Sequence, residues 1–340
     1  MKNGIRAGQL LLLAILTLAT MLLCVCAGSA SIPLSDTLRI LGSALRGTPE
    51  TGTLAGIIPR VRLPRVLCVT LMGASLSLCG AAMQGLLRNP LADGSTLGVA
   101  SGASLGAAAA IVLGISFPGL PLSGTTLCAM GAAFLSLWLI LTLAWGLDQS
   151  LSTNTIILIG IIFSMFISAW LNVLVTFAVE RLRSITFWTM GSLAAASYQN
   201  ALLLLVALVL CGGALLRHGE TLNLFTLGEE QAAHLGVPVR RIKLKVMILV
   251  SVLIGVCVSI GGSIGFVGLV TPHILRMLVG PNHRRLLPAS LFGGAIFLLL
   301  CDLAARTLLS PLELPVGVVT SIIGAAVFVS VFIRQRRGAA

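Results

Sequence analysis

Long apolar runs, separated by short clusters of charged residues, constrain the fold of this chain more than any other feature. Crossing a bilayer as a helix takes about 20 residues, and most of the runs approach or exceed that length. Only 9% of the residues are charged, whereas a soluble domain carries about 25%. The sequence therefore predicts an all-α polytopic membrane protein with about ten transmembrane helices. The predicted segments are 10–30, 63–87, 95–114, 124–146, 153–178, 200–216, 246–270, 272–281, 287–305 and 314–333, and 272–281 is too short to span alone.

One stretch occurs twice and organises the rest of the chain around it. Residues 73–90 align without a gap on residues 255–272, with two glycines and the final proline coinciding. Small residues let helix backbones approach closely, so both copies predict packed inner helices. Each final proline, Pro90 or Pro272, is expected to end its helix. On the predicted map the copies run in opposite directions, which is the inverted repeat with which many transporters build a pathway at the bilayer midplane.

The distribution of basic residues orients the predicted segments. Connections on one side carry 13 basic and 5 acidic residues, and those on the other side carry 8 and 5. Because cytoplasmic loops are enriched in Lys and Arg, both termini are predicted in the cytoplasm. The first run, 10–30, is longer than the apolar region of a signal peptide, so a retained helix is expected. We expect one transmembrane domain over 1–340, with halves 1–199 and 200–340 and a cytoplasmic segment at 217–245.

Arginines on the predicted outer side run against this bias. Arg60, Arg62 and Arg65 precede or begin the second helix, and Arg306 ends the ninth with Asp302 one turn before it. One interpretation is that these side chains snorkel or form an intrahelical pair, which is worth about 0.3–0.5 kcal/mol when exposed. The other is that they dock acidic groups of a partner. Both interpretations can hold at once.

Residues 226–241 predict a short capped helix and not a plain loop. Thr226 or Gly228 is placed to cap a helix that begins with Glu229 and Glu230, since small polar residues and glycine favour the N-cap and acids favour the first turn. A glycine and a proline shortly afterwards end this helix. A rigid cytoplasmic knob that serves as a partner site is therefore expected.

Several kinds of chemistry are disfavoured by the sequence. The eight cysteines lie inside apolar runs and are interpreted as small buried hydrophobic residues. The four histidines lack the spacing of metal or haem ligands. The sequence contains no phosphate-binding G-x-x-x-x-G-K-[ST] loop. It also has no charged residue in the middle of a predicted helix, which a proton relay would need. We therefore predict no catalytic residue, metal, cofactor or nucleic-acid partner. An ion-coupled secondary transporter and an intramembrane enzyme or haem carrier stay as alternatives.

Specific motifs run through nearly the whole chain. They are Arg62-Leu-Pro-Arg65, Gly80-Ala-Ala-Met-Gln84, Arg88-Asn-Pro-Leu-Ala-Asp93, Leu97-Gly98-Val with Gly102-Ala, Trp188-x-x-Gly191-Ser, Leu235-Gly236-Val, Gly265-Phe-Val-Gly-Leu-Val-x-Pro272-His273-Ile-x-Arg276, His283-Arg284, Asp302-x-x-Ala-Arg306 and Glu313-Leu-Pro315-Val-Gly317. With these motifs the chain resembles the FecCD-type permeases, the membrane subunits of ABC importers for iron–siderophores, haem and vitamin B12. One departure is Gly94-Ser95, where the family commonly has a proline after the acid. This departure affects only the turn.

The resemblance implies a set of partners in the cell inner membrane. Two ten-helix subunits, either two copies of this chain or this chain with a paralogue, enclose a central path among the membrane lipids. Two ATP-binding subunits lie inside, and a periplasmic or lipid-anchored substrate-binding protein docks outside. The resemblance implies that Arg62, Arg65 and Arg306 meet glutamates of that binding protein. It implies that the ATP-binding subunits contact a coupling segment formed by Leu227, Gly228, Glu229, Glu230, His234, Leu235 and Gly236.

The expected pathway runs along the small-residue helices and the breaks beside them. A lining of small and apolar groups offers only weak contacts, which suits a bulky ligand that must not stick. On family frequency the resemblance implies an iron-siderophore-type chelate, followed by haem or cobalamin. The expected pathway and helix-break residues are Gly80, Gln84, Asn89, Pro90, Gly98, Gly102, Gly262, Gly265, Gly268 and Pro272.

Overall fold

Regular structure in this protein is helical wherever the structure describes it. A computed structural model describes residues 7–28, 33–45, 56–93, 97–148 and 152–338. A π-helical turn, Ile58–Arg62, leads into α3, and another, Leu208–Gly212, lies inside α8. The helices of the described residues are α1 (Ala7–Cys26), α2 (Leu34–Leu45), α3 (Leu63–Leu86), α4 (Val99–Leu113), α5 (Gly124–Leu147), α6 (Thr153–Phe177), α7 (Leu182–Thr189), α8 (Tyr198–Arg217), α9 (Gly219–Phe225), α10 (Glu229–His234), α11 (Val239–Gly261), α12 (Val267–Val279), α13 (His283–Thr307) and α14 (Val316–Gly338).

The lengths of the apolar helices agree with the predicted membrane fold. Seven of them, α1, α3 with its π turn, α5, α6, α8, α11 and α13, are long and apolar enough to cross a bilayer. Three shorter apolar helices, α4, α12 and α14, bring the number in the described part of the chain to ten. The prediction of an all-α polytopic protein with about ten such helices is confirmed. The short helix α7 lies between the long helices α6 and α8.

Helices α3, α11 and α13 form the buried centre, whereas α1, α5, α6 and α8 are mostly exposed. The closest approaches occur where Gly73 of α3 faces Gly294 of α13 and where Gly80 faces Gly268 of α12. A β-carbon at any of these glycines would collide with atoms of the facing helix. Glycine therefore permits the contact between the backbones, and α3 is the packed inner helix that its small residues predict.

The second copy of the repeat ends earlier than predicted. The helix expected over 246–270 ends at Gly261, because Gly262 takes φ 71°, ψ −167° and packs against the backbone of Trp188. A residue with a side chain rarely adopts such a backbone conformation. Pro272 does not end a helix, since it lies inside α12. The expectation that both prolines stop their helices is therefore wrong for Pro272.

A long helix followed by a short one nevertheless occurs twice. The pair α3 and α4 is matched by α11 and α12, and both short helices begin directly after a left-handed residue. That residue is Gly98, at φ 74°, before α4 and Phe266, at φ 67°, before α12. The two copies align in sequence without a gap, but their helices do not end at aligned positions.

We call the end of the molecule that carries Arg65 and Arg306 the outer end, and the end that carries α9 and α10 the inner end, following the predicted orientation. The orientation of the termini and the division into halves stay predictions. Several residues that entered these expectations lie outside the described residues, or have side chains that do. They are Lys2, Arg6, Arg46, Glu50, Gly94, Ser95, Arg334, Arg336 and Arg337.

Candidate functional site

A buried network of ion pairs joins the outer ends of α3 and α13. Arg65 Nε and Nη2 each lie 3.0 Å from Asp302 Oδ1, and Arg65 Nη1 lies 2.8 Å from Glu313 Oε2. Asp302 is fully buried, and its second oxygen lies 3.0 Å from Arg306 Nε in an ion pair without hydrogen-bond alignment. One carboxylate thus serves two guanidinium groups. The side chain of Glu313 remains 40% exposed.

Two of the outer arginines close the C-terminal end of α1. Arg62 Nη1 donates to the carbonyl oxygens of Val25 and Cys26 at 2.7 and 2.8 Å, and Arg306 Nη2 donates to that of Cys24 at 3.1 Å. The last carbonyls of a helix have no partner within the helix and carry partial negative charge. The two cations therefore stabilise the end of α1 and fix it to α3 and α13. Through these contacts α1 is packed into the folded protein.

The arginines predicted to dock a partner are turned inward in this structure. Arg62, Arg65 and Arg306 are each at most 6% exposed, and each has internal acceptors. Arg60, in the π turn, is exposed. The predicted pair between Asp302 and Arg306 is present at i,i+4 spacing, but it is buried and belongs to a larger network. Docking of a binding protein at this end stays a prediction.

Gln84 links α3 to α12, the helix that contains Pro272. Pro272 has no N–H, so the carbonyl of Gly268, four residues earlier, loses its helical partner. Gln84 Nε2 donates to this carbonyl at 3.2 Å and to that of Leu269 at 3.3 Å. Gln84 Oε1 accepts from Arg276 Nη2 at 2.9 Å. One buried side chain therefore satisfies a backbone group that the proline leaves unpaired.

The remaining predicted pathway glycines lie at helix starts and breaks. Gly98 is the N-cap of α4 and Gly102 lies in its first turn, where a β-carbon would collide with Ser136 of α5. Gly262 and Gly265 lie in the break between α11 and α12. These positions bring helices together or interrupt them. Their contact with a translocated ligand stays a prediction.

The turn after α3 directs a basic side chain toward the coupling segment. Asn89 Oδ1 accepts from the N–H of Leu91 at 2.9 Å, which is a local side-chain bond typical of tight turns. Pro90 follows in the same turn and is exposed. Arg88 takes φ 52°, and its Nη1 lies beside Gly228. The predicted helix break at Asn89 and Pro90 therefore also positions Arg88.

A buried ion pair anchors the predicted coupling helix. Helix α10 begins at Glu229 as expected, after Gly228 at φ 124° as its N-cap. Lys243 of α11 is fully buried, and its Nζ lies 2.6 Å from Glu229 Oε1. Glu229 also accepts from Thr153 Oγ1 of α6 at 3.2 Å. This short helix is thus tied to two membrane helices.

The other coupling residues form an exposed surface around this anchor. Thr226, the alternative cap, donates its hydroxyl to the carbonyl of Asn223 at 2.6 Å and does not cap α10. Gly236 takes φ 84° after the helix. Burial and the nearby Lys245 ammonium lower the pKa of His218, which lies between α8 and α9. The exposed members of the predicted coupling set are Leu227, Glu230, His234, Leu235 and Gly236.

Lys243 is a site residue that the sequence analysis did not single out, because it lies in a run of basic residues. Lysines and arginines are common in inner connections, so the run alone marks no single member. The spacing carries the missing signal, because Lys243, Val246, Met247 and Val250 occupy the positions of one buried helix face. A cation on such a face requires a carboxylate partner, and Glu229 supplies it.

A cavity with both polar and apolar lining side chains opens beside the outer end of α11. Its volume is about 500 Å³, and no described residue that lines it is charged. Ser123 and Ser197, which cap α5 and α8, belong to the lining together with Trp188. Further hydroxyl and amide groups come from Thr125, Thr126, Ser184, Ser192 and Asn200. The cavity offers hydrogen bonds without a fixed charge.

Metal-binding clusters are absent from the described part of the chain. No group of three or more His, Cys, Asp or Glu side chains there is placed to hold a metal ion. All eight cysteines are free thiols. Five are buried and three, Cys26, Cys128 and Cys211, are partly exposed.

Comparison with known proteins places this architecture in a family. A profile of the FecCD transport family matches residues 15–334. The chain is 42% identical over 283 residues to the hemin transport system permease protein HmuU of Yersinia pestis, covering 81% of this chain and 83% of that protein. It is 38% identical over 327 residues to the vitamin B12 import system permease protein BtuC of Klebsiella pneumoniae, covering 95% and 93%.

A solved structure shows the same fold. It is an inward-facing conformation of a protein described as a metal-chelate type ABC transporter, with a TM-score of 0.84 and 34% identity. The match covers 97% of this chain and 100% of that one. Because both the sequence profile and the relatives span most of the chain, it belongs to the FecCD transport family, which comprises membrane permease subunits of ABC importers whose ATPase activity resides in separate subunits.

Proposed function

We propose that this chain moves an iron-siderophore-type chelate across the cell inner membrane as one half of a permease dimer, a homodimer or a pair with a paralogue. Two ATP-binding subunits engage the inner end, and a periplasmic or lipid-anchored binding protein delivers the chelate to the outer end. Both termini lie in the cytoplasm. The chain forms one permease domain over 1–340, with halves 1–199 and 200–340 and the coupling segment at 217–245.

The observation that carries the proposal is the ion pair between Glu229 and Lys243. Helix α10 is too short to be stable alone, and this pair with Thr153 connects it to α11 and α6. A displacement of α10 by the ATP-binding subunits is therefore transmitted to α6 and α11, and α11 borders the outer cavity and the break after Gly261. Rigid movement of packed helices of this kind can switch a path between outward and inward access.

The outer cavity supports a chelate as the cargo. An iron chelate of this type presents many oxygen atoms and is bulky, and the cavity offers about 500 Å³ with hydroxyl and amide groups but no charged lining among the described residues. Weak neutral contacts hold such a ligand without trapping it. Haem and cobalamin are the alternative cargoes, since similar permeases are named for hemin and vitamin B12.

Glu313 suggests how the outer arginines take part in docking. Its side chain is 40% exposed and lies on Arg65, whose other partner, Asp302, is fully buried. A glutamate of a binding protein can replace Glu313 on Arg65 without disturbing the buried pair. Arg60 adds an exposed cation in the same region. This exchange reconciles the predicted docking role of Arg65 with the inward direction of its side chain.

An ion-coupled transporter is not favoured by these contacts. Asp302 is the fully buried carboxylate of α13, but both of its oxygens face guanidinium groups, those of Arg65 and Arg306. A carboxylate that is doubly matched in this way has no capacity left for a transported cation. Transport driven by ATP hydrolysis on separate subunits accounts for the arrangement without such a site.

Uptake into proteoliposomes tests the proposal. The chain is reconstituted with its ATP-binding subunits and binding protein, and ATP-dependent accumulation of a ferric siderophore, haem and cobalamin is compared. Ferric-siderophore uptake that requires both ATP and the binding protein is the expected result. Uptake of haem or cobalamin in its place reassigns the cargo, and uptake driven by an ion gradient without ATP overturns the mechanism.

A further inference from the structure

An exposed aromatic stripe follows the side of α5 that borders α11. Trp138 and Trp145 lie two turns apart on one face of α5, and they are 61% and 50% exposed. Phe134, one turn before Trp138, lies 3.7 Å from the β-carbon position of Gly255 in α11. Trp145 lies in the last turn of α5, at the inner end of the molecule. Tryptophan is enriched where a membrane helix meets the lipid headgroups, so Trp145 marks this depth.

The side chain of Arg240 rests on the inner end of this stripe. Its guanidinium carbon lies 4.4 Å from the centre of the Trp145 ring, which is a cation–π contact. A contact of this kind occupies one face of the planar guanidinium group, whereas the five N–H donors point outward in its plane. The tryptophan therefore holds the arginine in position and leaves its hydrogen-bond donors accessible.

The inner end of α11 presents positive charge that no described acidic side chain neutralises. Arg240 and Arg241 are both exposed, and within the ranges that the structure describes no ion pair joins either of them to an acid. The first turn of α11, which holds both arginines, contains no acidic residue. The positive end of the helix dipole is therefore added to the two cations, and this surface attracts anions.

An apolar surface continues from the arginines along the two helices. On α11, Leu244 and Ile248 follow Arg240 at intervals of four residues, so the three share one face of the helix. Ile248 is exposed. On α5, the stripe from Trp145 back to Trp138 covers seven residues, or about 10 Å of helix. A ligand with an anionic group and a long apolar tail matches this combination of a charged end and an apolar surface.

We propose that this surface binds a phospholipid of net negative charge from the leaflet at the inner end. The lipid phosphate accepts hydrogen bonds from the N–H groups of Arg240, a match that the planar guanidinium favours, and Arg241 adds attraction. An acyl chain lies along Ile248 and Trp138. A zwitterionic lipid carries a cationic group beside its phosphate, which weakens its attraction to the two arginines.

Other occupants match this surface less well. A second copy of the chain would present the same two cations on its equivalent face, so a symmetric contact here would bring like charges together. An ATP-binding subunit lies outside the bilayer and does not cover the stripe as far as Trp138. A lipid satisfies both the cations and the apolar surface.

Native mass spectrometry of the full chain in detergent tests the proposal. The chain is titrated with phosphatidylglycerol and with phosphatidylcholine of identical acyl chains, and the affinity for the first bound lipid is compared. Phosphatidylglycerol is expected to bind about tenfold more tightly, since each arginine near an anionic headgroup contributes about fivefold. Arg240→Gln is expected to lower this preference about fivefold. Arg217→Gln, which removes an exposed arginine at the inner end of α8, is the matched control and leaves the preference unchanged.

Substitution of Trp145 separates a positioned arginine from a plain surface charge. Trp145→Leu keeps every charge but removes the cation–π contact, so the preference for phosphatidylglycerol is expected to fall about threefold. Trp145→Phe retains an aromatic face and is expected to preserve most of the preference.

Several outcomes would overturn the proposal. They are equal affinities for the two lipids, an equal loss of preference in Arg240→Gln and Arg217→Gln, and an unchanged preference in Trp145→Leu. Dissociation of a dimer of the chain by Arg240→Gln, without a change in lipid preference, would assign the surface to a second copy. Loss of the preference when the ATP-binding subunits are added would assign the arginines to that partner.

Discussion

The two ends of α3 hold arginines in opposite electrostatic settings. At the outer end Arg65 meets Asp302 and Glu313, so the cations are matched by carboxylates of the same chain. At the inner end Arg276 meets the neutral Gln84, and Arg88 has no acidic partner among the described residues. The outer cluster is matched by acids within the fold, whereas the inner cluster contacts no acidic side chain among the described residues. Basic residues at membrane helix ends therefore serve different purposes depending on their partners.

The largest effect is expected from Asp302→Asn at the outer end. The change leaves Arg306 with only the carbonyls of α1 and removes the buried partner of Arg65. Removing one member of a buried ion pair costs about 3–5 kcal/mol, because the remaining charge is uncompensated. Thermal unfolding of the purified chain in detergent measures the loss. Unfolding at the wild-type temperature would show that the outer network does not hold α1, α3 and α13 together.

A smaller effect is expected from Gly80→Ala, which lies between the two ends. The added methyl group collides with the backbone of Gly268, and overpacking of a tight contact costs about 1–3 kcal/mol. Gly131→Ala in α5 is the matched control, because nothing lies within 4 Å of its β-carbon position. The control is expected to be neutral or stabilising, since alanine favours helices. Equal unfolding temperatures for both variants would contradict the close packing of α3 on α12.

Lys243→Met tests the inner ion pair through coupling and not through stability. The partly exposed Glu229 is solvated when its partner is lost, so the fold is expected to survive. Transport per ATP hydrolysed is expected to fall by roughly fivefold or more, the lower range of coupling energies of about 1–3 kcal/mol. Parallel assays of uptake and ATP hydrolysis in proteoliposomes give this ratio. Lys245→Met, at an exposed position of the same helix, is the control. An equal ratio of transport to ATP hydrolysis in both variants would contradict the anchoring role of Lys243.

The smallest effect is expected from Glu313→Gln. The carboxylate is 40% exposed, and Asp302 continues to neutralise Arg65. Exposed ion pairs are worth about 1 kcal/mol or less, so the unfolding temperature should shift much less than in Asp302→Asn. A shift as large as that of Asp302→Asn would mean that both carboxylates act as one inseparable unit.

Most of the helical architecture could be predicted because the length of an apolar run limits the position of a membrane helix. The predicted segments 63–87, 124–146 and 153–178 lie within a few residues of α3, α5 and α6. The segment 246–270 was wrong because hydropathy does not register the backbone of Gly262, whose φ of 71° is stabilised by packing against a distant helix end. Such a break depends on tertiary contacts.

The candidate site was less predictable because many of its partners are backbone atoms or residues far along the chain. The sequence marked Arg62 and Arg306, but their acceptors are carbonyls at the end of α1. It marked Glu229, but the partner Lys243 lies in a basic run and only its helical spacing distinguishes it. Residue type therefore predicted where charges lie, and the fold decides which way they point.

The effects of substituting Pro272 and Gln84, which lie on two different helices, are expected to depend on each other. Pro272→Ala restores an N–H to α12 that can bond the carbonyl of Gly268, which frees Gln84 from that task. Gln84→Leu alone leaves buried carbonyls without a donor, whereas the same change after Pro272→Ala leaves fewer of them. The proline change therefore acts as a suppressor of the glutamine change. A lineage of such proteins could complete the backbone hydrogen bonds of α12 by replacing the proline first and the glutamine second, and the reverse order would pass through a less stable intermediate.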